Sequence, residues 1–164
     1  MIEDCHIRAF HEGDLARLHE IRESAFRTVF QSFRDIVGSE IAAVALVNLE
    51  QEQADYLDQI SKADSGQNLF VAECEGEIVA FCAVKCDAAT RLGEIDLNAV
   101  HPNYQGRGVG TWMYEYALDQ MRKQGMRAAT VGTGGDPSHI PARQAYEKAG
   151  FGPYIPSVYY YRSL

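Results

Sequence analysis

From Glu94 to Val131 the chain reads as strand, glycine-rich loop, helix, strand, and this order restricts the fold more than any other feature. Two strands joined through a helix pair most simply in parallel, because an antiparallel pair needs only a short turn. Such a sheet needs helices on its faces to cover it. The loop lies within Ala99-Val-His-Pro-Asn-Tyr-Gln-Gly-Arg-Gly-Val-Gly-Thr-Trp112. Gly106, Gly108 and Gly110 remove side chains where the main chain must approach a ligand or take positive φ. The helix opening at Val109 offers unpaired N–H groups and the positive end of its dipole. A pyrophosphate fits such a site, although an ordinary glycine turn capping a helix has the same composition.

The rest of the chain extends this unit. Cys5 to Phe10 reads as a short strand. A helix opens near His11–Asp14, with Leu15, Leu18, Ala25 and Val29 at helical spacing. Further helices are predicted over Asp35–Asn48 and Glu50–Lys62. Asn68–Glu75 and Ile78–Asp87 read as a hairpin around Glu75-Gly76-Glu77. In the strand Glu94–Val100, alternation sets Glu94, Asp96 and Asn98 on one polar face against Ile95, Leu97 and Ala99. After it come a helix over Val109–Gln124, a strand at Ala128–Val131 and a helix over Pro141–Ala149 stopped by Gly150. Phe151–Tyr161 reads as strands broken by Pro153 and Pro156. The order is that of an α/β mixed sheet in a single domain over residues 1–164.

Composition narrows the function classes. The formal charge of −8 disfavours nucleic acid as a partner and mildly favours a cationic acceptor such as an amine. No apolar run approaches a membrane span, and the N-terminus lacks a basic region followed by an apolar core. A cytoplasmic location is the default expectation. Cys5, Cys74, Cys82 and Cys86 form no C-x-x-C pair and show no metal-ligand spacing with the five histidines. They read as small buried apolar groups, with Cys82 and Cys86 on the same side of one strand. No metal is expected.

Gln105-x-x-Gly108-x-Gly110 is neither a P-loop nor the G-x-G-x-x-G dinucleotide fingerprint. It resembles the Q/R-x-x-G-x-G/A loop of the GNAT-type N-acetyltransferase superfamily. His139-Ile-Pro-Ala-Arg-Gln-Ala-Tyr-Glu-Lys-Ala-Gly-Phe151 is similar to that family's N-x-x-A-x-x-x-Y-x-x-x-G-F helix. Ala142, Tyr146, Gly150 and Phe151 match, and His139 stands where asparagine is common. The resemblance covers nearly the whole order of elements and is weakest in the first sixty residues. It implies a mostly antiparallel sheet with a central parallel pair of strands that splay apart, flanked by helices on both faces.

It also implies acetyl-coenzyme A as co-substrate and a small-molecule or peptide amine as acceptor. By resemblance, Gln105 through Thr111 wrap the pyrophosphate, with the amides of Gly106, Gly108, Val109 and Gly110 as donors. Arg107 adds a charge-assisted bond to a phosphate or faces solvent. Freed backbone groups of Asn98, Ala99 and Val100 hold the pantetheine arm, and His139 takes a coenzyme contact. Gly134-Gly-Asp136 reads as a turn or, by resemblance, borders the coenzyme's adenosine end.

Tyr146 is the expected general acid for the leaving thiolate, because a phenol with a pKa of about 10 is protonated at neutral pH. The plain alternative is a core-packed tyrosine. Glu94 is the expected general base, acting through water, and otherwise opens a strand at the surface. Phe26, Phe30, Phe33, Tyr154 and Tyr159 are candidate walls for the acceptor site. The exposed edge of the C-terminal strands suits a homodimer. Other readings on the same fold are a longer acyl donor, an O-acceptor, or a non-catalytic coenzyme A sensor.

Overall fold

The computed structural model describes residues 4–164. Met1–Glu3, part of the segment read for a secretion signal, lie outside the described residues. Five strands form one sheet in chain order: β1 (Cys5–Ala9), β2 (Gln67–Cys74), β3 (Glu77–Asp87), β4 (Leu92–Val100) and β5 (Ala128–Val131). The first four pair antiparallel, and β4 pairs with β5 in parallel. Glu75 and Gly76, at φ 53 and 80, make the tight turn between β2 and β3.

Helices cover both faces of the sheet. On one side α1 (Leu15–Val37) and α3 (Leu49–Ile60) bury Leu18, Ile21 and Leu57 against Phe81, Ala83 and Ala99. Leu18, Ile21 and Leu57 are fully buried, each contributing about 2 kcal/mol through removal of apolar surface from water. On the other side α4 (Val109–Lys123) and α5 (Ile140–Lys148) pack Met113, Ala117, Met121 and Tyr146 against Cys82, Val84 and Ile95. The sequence predicts one helix over Asp35–Asn48. The structure instead carries α1 to Val37 and starts α2 (Ser39–Ala45) after Gly38, whose φ of 83 breaks the ladder.

Three expectations are corrected. The tail Phe151–Tyr161 forms no strand, and β5 is the last strand of the described sheet. Pro153 and Pro156 lack the N–H that a ladder requires, and Tyr154, Ile155 and Tyr159 stay exposed. Second, Cys5 and Cys74, directly opposed in the β1–β2 register, form a disulfide; the two are not independent buried thiols. Cys82 and Cys86 are free and contribute to the same core, as parity predicts.

The third correction bears on the site. Between β3 and β4 the register shifts, with Cys82 opposite Asn98 but Val84 opposite Ile95. One residue separates that pair on β3 and two separate it on β4, so β4 bulges at Asp96–Leu97. The extra residue reverses the alternation. Asp96 lies with Tyr56 of α3, whereas Asn98 meets Tyr114 and Tyr146 on the opposite face. The continuous polar face of Glu94, Asp96 and Asn98 does not exist.

Candidate active site

The β4–β5 ladder runs from Leu92–Ala128 to Ile95–Val131 and stops. Beyond it, Asp96 to Val100 continue as a strand bonded only to β3, leaving the other edge of Asn98, Ala99 and Val100 open. Two carbonyls along this stretch already have partners. The Asn98 amide donates to the Asp96 carbonyl at 2.8 Å, and Gln105 Nε2 donates to the Val100 carbonyl at 2.9 Å. Gln105 therefore ties the glycine loop to the end of β4.

Local chemistry shapes that loop. His101 Nδ1 accepts from the Asn103 amide at 3.3 Å, capping a 3-10 turn over Pro102–Tyr104. Gly106 and Gly108 then take φ of 72 and 87, the left-handed region that a side chain resists. The helical ladder of α4 begins with the Trp112 amide donating to the Gly108 carbonyl at 3.0 Å. The amides of Val109, Gly110 and Thr111 therefore lie ahead of it, at the positive end of the helix. Arg107 is exposed, its guanidinium 5.3 Å from the Tyr104 ring centre. A backbone cradle of this form fits a diphosphate.

Tyr146 lies on α5, 6 % exposed, with its ring 4.6 Å from that of Tyr114. Both phenols converge on Asn98. Tyr114 donates to Asn98 Oδ1 at 2.8 Å, and Asn98 Nδ2 donates to the Tyr146 oxygen at 3.2 Å. Burial pushes the Tyr146 phenol above its ordinary pKa, against the Asn98 and Tyr114 hydrogen bonds that pull it down. Burial likewise raises Tyr114, and pushes the Cys82 thiol up to about 12.

Glu94 stands in the closed part of the ladder, opposite Thr130 and Lys85. It shares the α3 side of the sheet with Asp96, which accepts from Tyr56 and, at 2.8 Å, from Gln67. Burial, then the Asp96 hydrogen bond, raises the Tyr56 phenol, and Glu94 adds to that effect.

At the other end of α5, Asp136 gathers several donors. Its carboxylate accepts from Ser32 of α1 at 2.8 Å, from the Ser138 hydroxyl and amide, and from His139 Nδ1 at 2.5 Å. Burial opposes ionisation of Asp136, but the bonds from Ser138, Ser32 and His139 outweigh it and hold the carboxyl well below the usual range. Arg143 locks the same loop by donating to the carbonyls of Gly134 at 2.6 Å and Asp136 at 3.0 Å.

The proposed acceptor walls separate. Phe30 is buried and Phe26 stacks on it, Phe33 stacks on His139 at 5.7 Å, and Tyr154 and Tyr159 are exposed in the tail. Two hollows, of about 620 and 440 Å³, flank the C-terminal half of α1 and share Gln31 and Asp35. The smaller one reaches Ser32 and Pro137, beside Asp136.

The sequence reading names Tyr146, the loop and the Gly134-Gly-Asp136 turn, but not the Tyr114 and Asn98 side chains that meet Tyr146 or the hydrogen bonds that gather on Asp136. Tyr114 carries a signal, a hydroxyl on the apolar stripe of α4. Asp136 has only its position before Pro137.

Known proteins supply the comparison. The model of the acetyltransferase (GNAT) family matches residues 15–151. A mycothiol acetyltransferase of Sanguibacter keddieii is 37 % identical over 93 residues, which are 54 % of this chain and 29 % of that protein. The chain thus spans less than a third of the length of that relative. A GNAT-family acetyltransferase structure from Desulfovibrio desulfuricans superposes with a TM-score of 0.66 at 22 % identity, covering 92 % of this chain and 87 % of its own. One from Brucella melitensis, in complex with acetyl-CoA, gives 0.61 at 23 % identity, covering 93 % and 91 %. At these identities the structures establish the shared fold. Match and architecture agree: the chain belongs to the acetyltransferase (GNAT) family.

Proposed function

We propose that this protein is an N-acetyltransferase that passes an acetyl group from acetyl-coenzyme A to a primary amine, with both substrates bound together. One observation carries the reading. The β4–β5 ladder opens above Ile95–Val131, and the Tyr146 hydroxyl is held by Asn98 on the open stretch. The coenzyme would supply the acyl carbon already activated as a thioester. The amides of Gly106, Gly108, Val109, Gly110 and Thr111 would hold its pyrophosphate, with Arg107 beside them and Gln105 fixing the loop. The open edge at Asn98, Ala99 and Val100 would align its pantetheine arm.

Tyr146 acts as general acid in this reading. Burial raises its pKa, so the proton is present at neutral pH. Asn98 donates to the phenol oxygen at 3.2 Å, and the Tyr146 O–H reaches Asn98 Oδ1 only at 3.5 Å, so little holds that proton back from turning toward the departing sulfur. Glu94 adds negative charge on the side of the sheet facing α3, where it attracts an ammonium. Neither free cysteine offers a thiolate, since burial raises both, and this supports direct attack by the amine without an acyl-enzyme. The mycothiol acetyltransferase relative favours a small-molecule acceptor.

The test is acetyl-coenzyme A consumption across amine classes, run with the wild type and Tyr146→Phe. We expect the variant to lose about a hundredfold in kcat. Acetyl-coenzyme A affinity should stay within about twofold, since one hydroxyl of an acid that acts on the leaving group adds little to ground-state binding. Undiminished turnover by Tyr146→Phe removes the acid role. Tight coenzyme binding without turnover of any amine by the wild type leaves a coenzyme sensor instead.

A further inference from the structure

We propose that His139 is the base that takes the proton from the acceptor's ammonium, with Asp136 as its positioning residue; this rests on the transferase reading above. The family resemblance assigns this position to a coenzyme contact. The side-chain geometry here points elsewhere.

The His139 ring is fixed on three sides. Nδ1 is 2.5 Å from Asp136 Oδ1, one face stacks on Phe33 of α1, and the Nδ1–Cε1 edge lies against Gly134. A Cβ on Gly134 would sit 2.4 Å from Nδ1, so only glycine admits the ring there. An ionised carboxylate can only accept hydrogen bonds. The proton in the contact therefore belongs to Nδ1, and the neutral ring carries its lone pair on Nε2. Among the described residues no protein group bonds Nε2, and it is not among the buried atoms that lack a partner, so it reaches solvent.

Asp136 itself is over-determined. Ser32, the Ser138 hydroxyl and the Ser138 amide aim at it from two elements, and Arg143 clamps the carbonyls around it. A cap on the Pro137–His139 turn needs only the Ser138 amide and has no use for the further donors Ser32 and His139. A base held by a third group does. Asp136 and Ser138 from its own turn and Phe33 from α1 contact the ring, while Ser32 of α1 bonds the Asp136 carboxylate and Arg143 bonds the Gly134 and Asp136 carbonyls. Asp35 of α1 adds a further carboxylate to the wall of the smaller hollow.

Placement agrees with this role. His139 follows the C-terminal end of β5, on the side of the gap where the parallel pair has come apart. Ligands of parallel strands gather at that end. His139 caps the N-terminus of α5, seven residues before Tyr146, about 10 Å along the helix axis.

The protons balance. His139 Nε2 takes one proton from R–NH₃⁺ and leaves the nitrogen lone pair. The nitrogen forms the C–N bond as the C–S bond breaks. Tyr146 gives its proton to the sulfur and regains one from the nitrogen. His139 then releases its proton to water, one per turnover.

Two measurements test this on the full chain. In ¹⁵N spectra of the protein alone, we expect neutral His139 to be the Nδ1–H tautomer; an Nε2–H tautomer overturns the proposal without any variant. In kinetics, His139→Gln should lower kcat/KM for the acceptor about a hundredfold near neutral pH. It should return to within a few fold of wild type above the acceptor's own pKa, where free amine needs no base. Acetyl-coenzyme A affinity should not change. An equal loss at every pH with weakened coenzyme affinity makes His139 a coenzyme contact, and no loss at all ends its role. The same pH signature in Glu94→Gln in place of His139→Gln hands the role to Glu94. A wild type that turns over no amine fails the transferase reading first. A wild type that turns over beside an unaffected His139→Gln fails this inference alone.

Discussion

Asn98 donates its side-chain amide to the Tyr146 hydroxyl oxygen at 3.2 Å, joining the open stretch of β4 to the last helix. Its carbonyl end accepts from Tyr114 at 2.8 Å, so one carboxamide sets the direction of two buried phenols.

Removing that carboxamide should be felt twice. Asn98→Ala leaves the Tyr114 hydroxyl without its acceptor, and we expect a stability loss of about 1–3 kcal/mol in thermal or urea melts. Acetyl transfer should fall about tenfold as Tyr146 loses its orientation. Asn98→Asp keeps the shape but only accepts, so it draws the Tyr146 proton toward itself. It should cost kcat at least as much as the alanine variant. Full activity in Asn98→Asp would refute the claim that the amide directs the phenol.

The two loop glycines should respond differently. Gly108 has φ of 87 with open space around the missing side chain, so Gly108→Ala meets conformational strain and no clash. The cost should be about 1 kcal/mol in stability. Because the strain distorts the amides that open α4, acetyl-coenzyme A affinity should drop more than the melting temperature suggests. At Gly110 the added Cβ would meet Val100 Cγ2 at 3.6 Å, an ordinary contact, inside a helix where alanine is preferred. Gly110→Ala should therefore melt no lower than the parent. Calorimetric titration and melting curves on both variants check the pair.

The Asp136 cage makes a signed pH prediction. Despite the opposing effect of burial, the hydrogen bonds hold the folded-state pKa of Asp136 below its ordinary value of 3.8. A carboxyl with a lowered folded pKa stabilises the fold above its unfolded value. That contribution is lost as pH falls from 3.8 through the folded value. Asp136→Asn should thus melt below wild type at neutral pH, with the gap closing in acid. A gap that stays constant from neutral pH down through acid would show that the charge of Asp136 does not stabilise the fold.

Much of this was legible from local pattern. The glycine loop, the helix that follows it and the Tyr146 motif are contiguous, and their chemistry depends on neighbours within a few residues. Glycines in this order produce positive φ and free amides wherever they occur. The hairpin at Glu75–Gly76 is equally local. What failed were inferences that crossed the sheet. The alternation along β4 looked unbroken, because a bulge adds no residue type of its own and shows only against the register of β3. Nothing near Cys5 indicates that Cys74, 69 positions away, lies opposite it. The tail carries aromatic residues suited to strands, but its prolines withhold the amides that pairing needs.

By itself, the sequence determined the family, the α/β class and the glycine loop that opens α4, since each follows from spacing and glycine along a short stretch. Tertiary structure alone decided which side chains face one another. The β4 bulge turned Asn98 to the phenols and Asp96 away, and the docking of α1 on the β5–α5 loop brought Ser32 and Phe33 to Asp136 and His139. Those contacts join residues distant in the chain, and only closure of the sheet and packing of the helices bring them within hydrogen-bond reach.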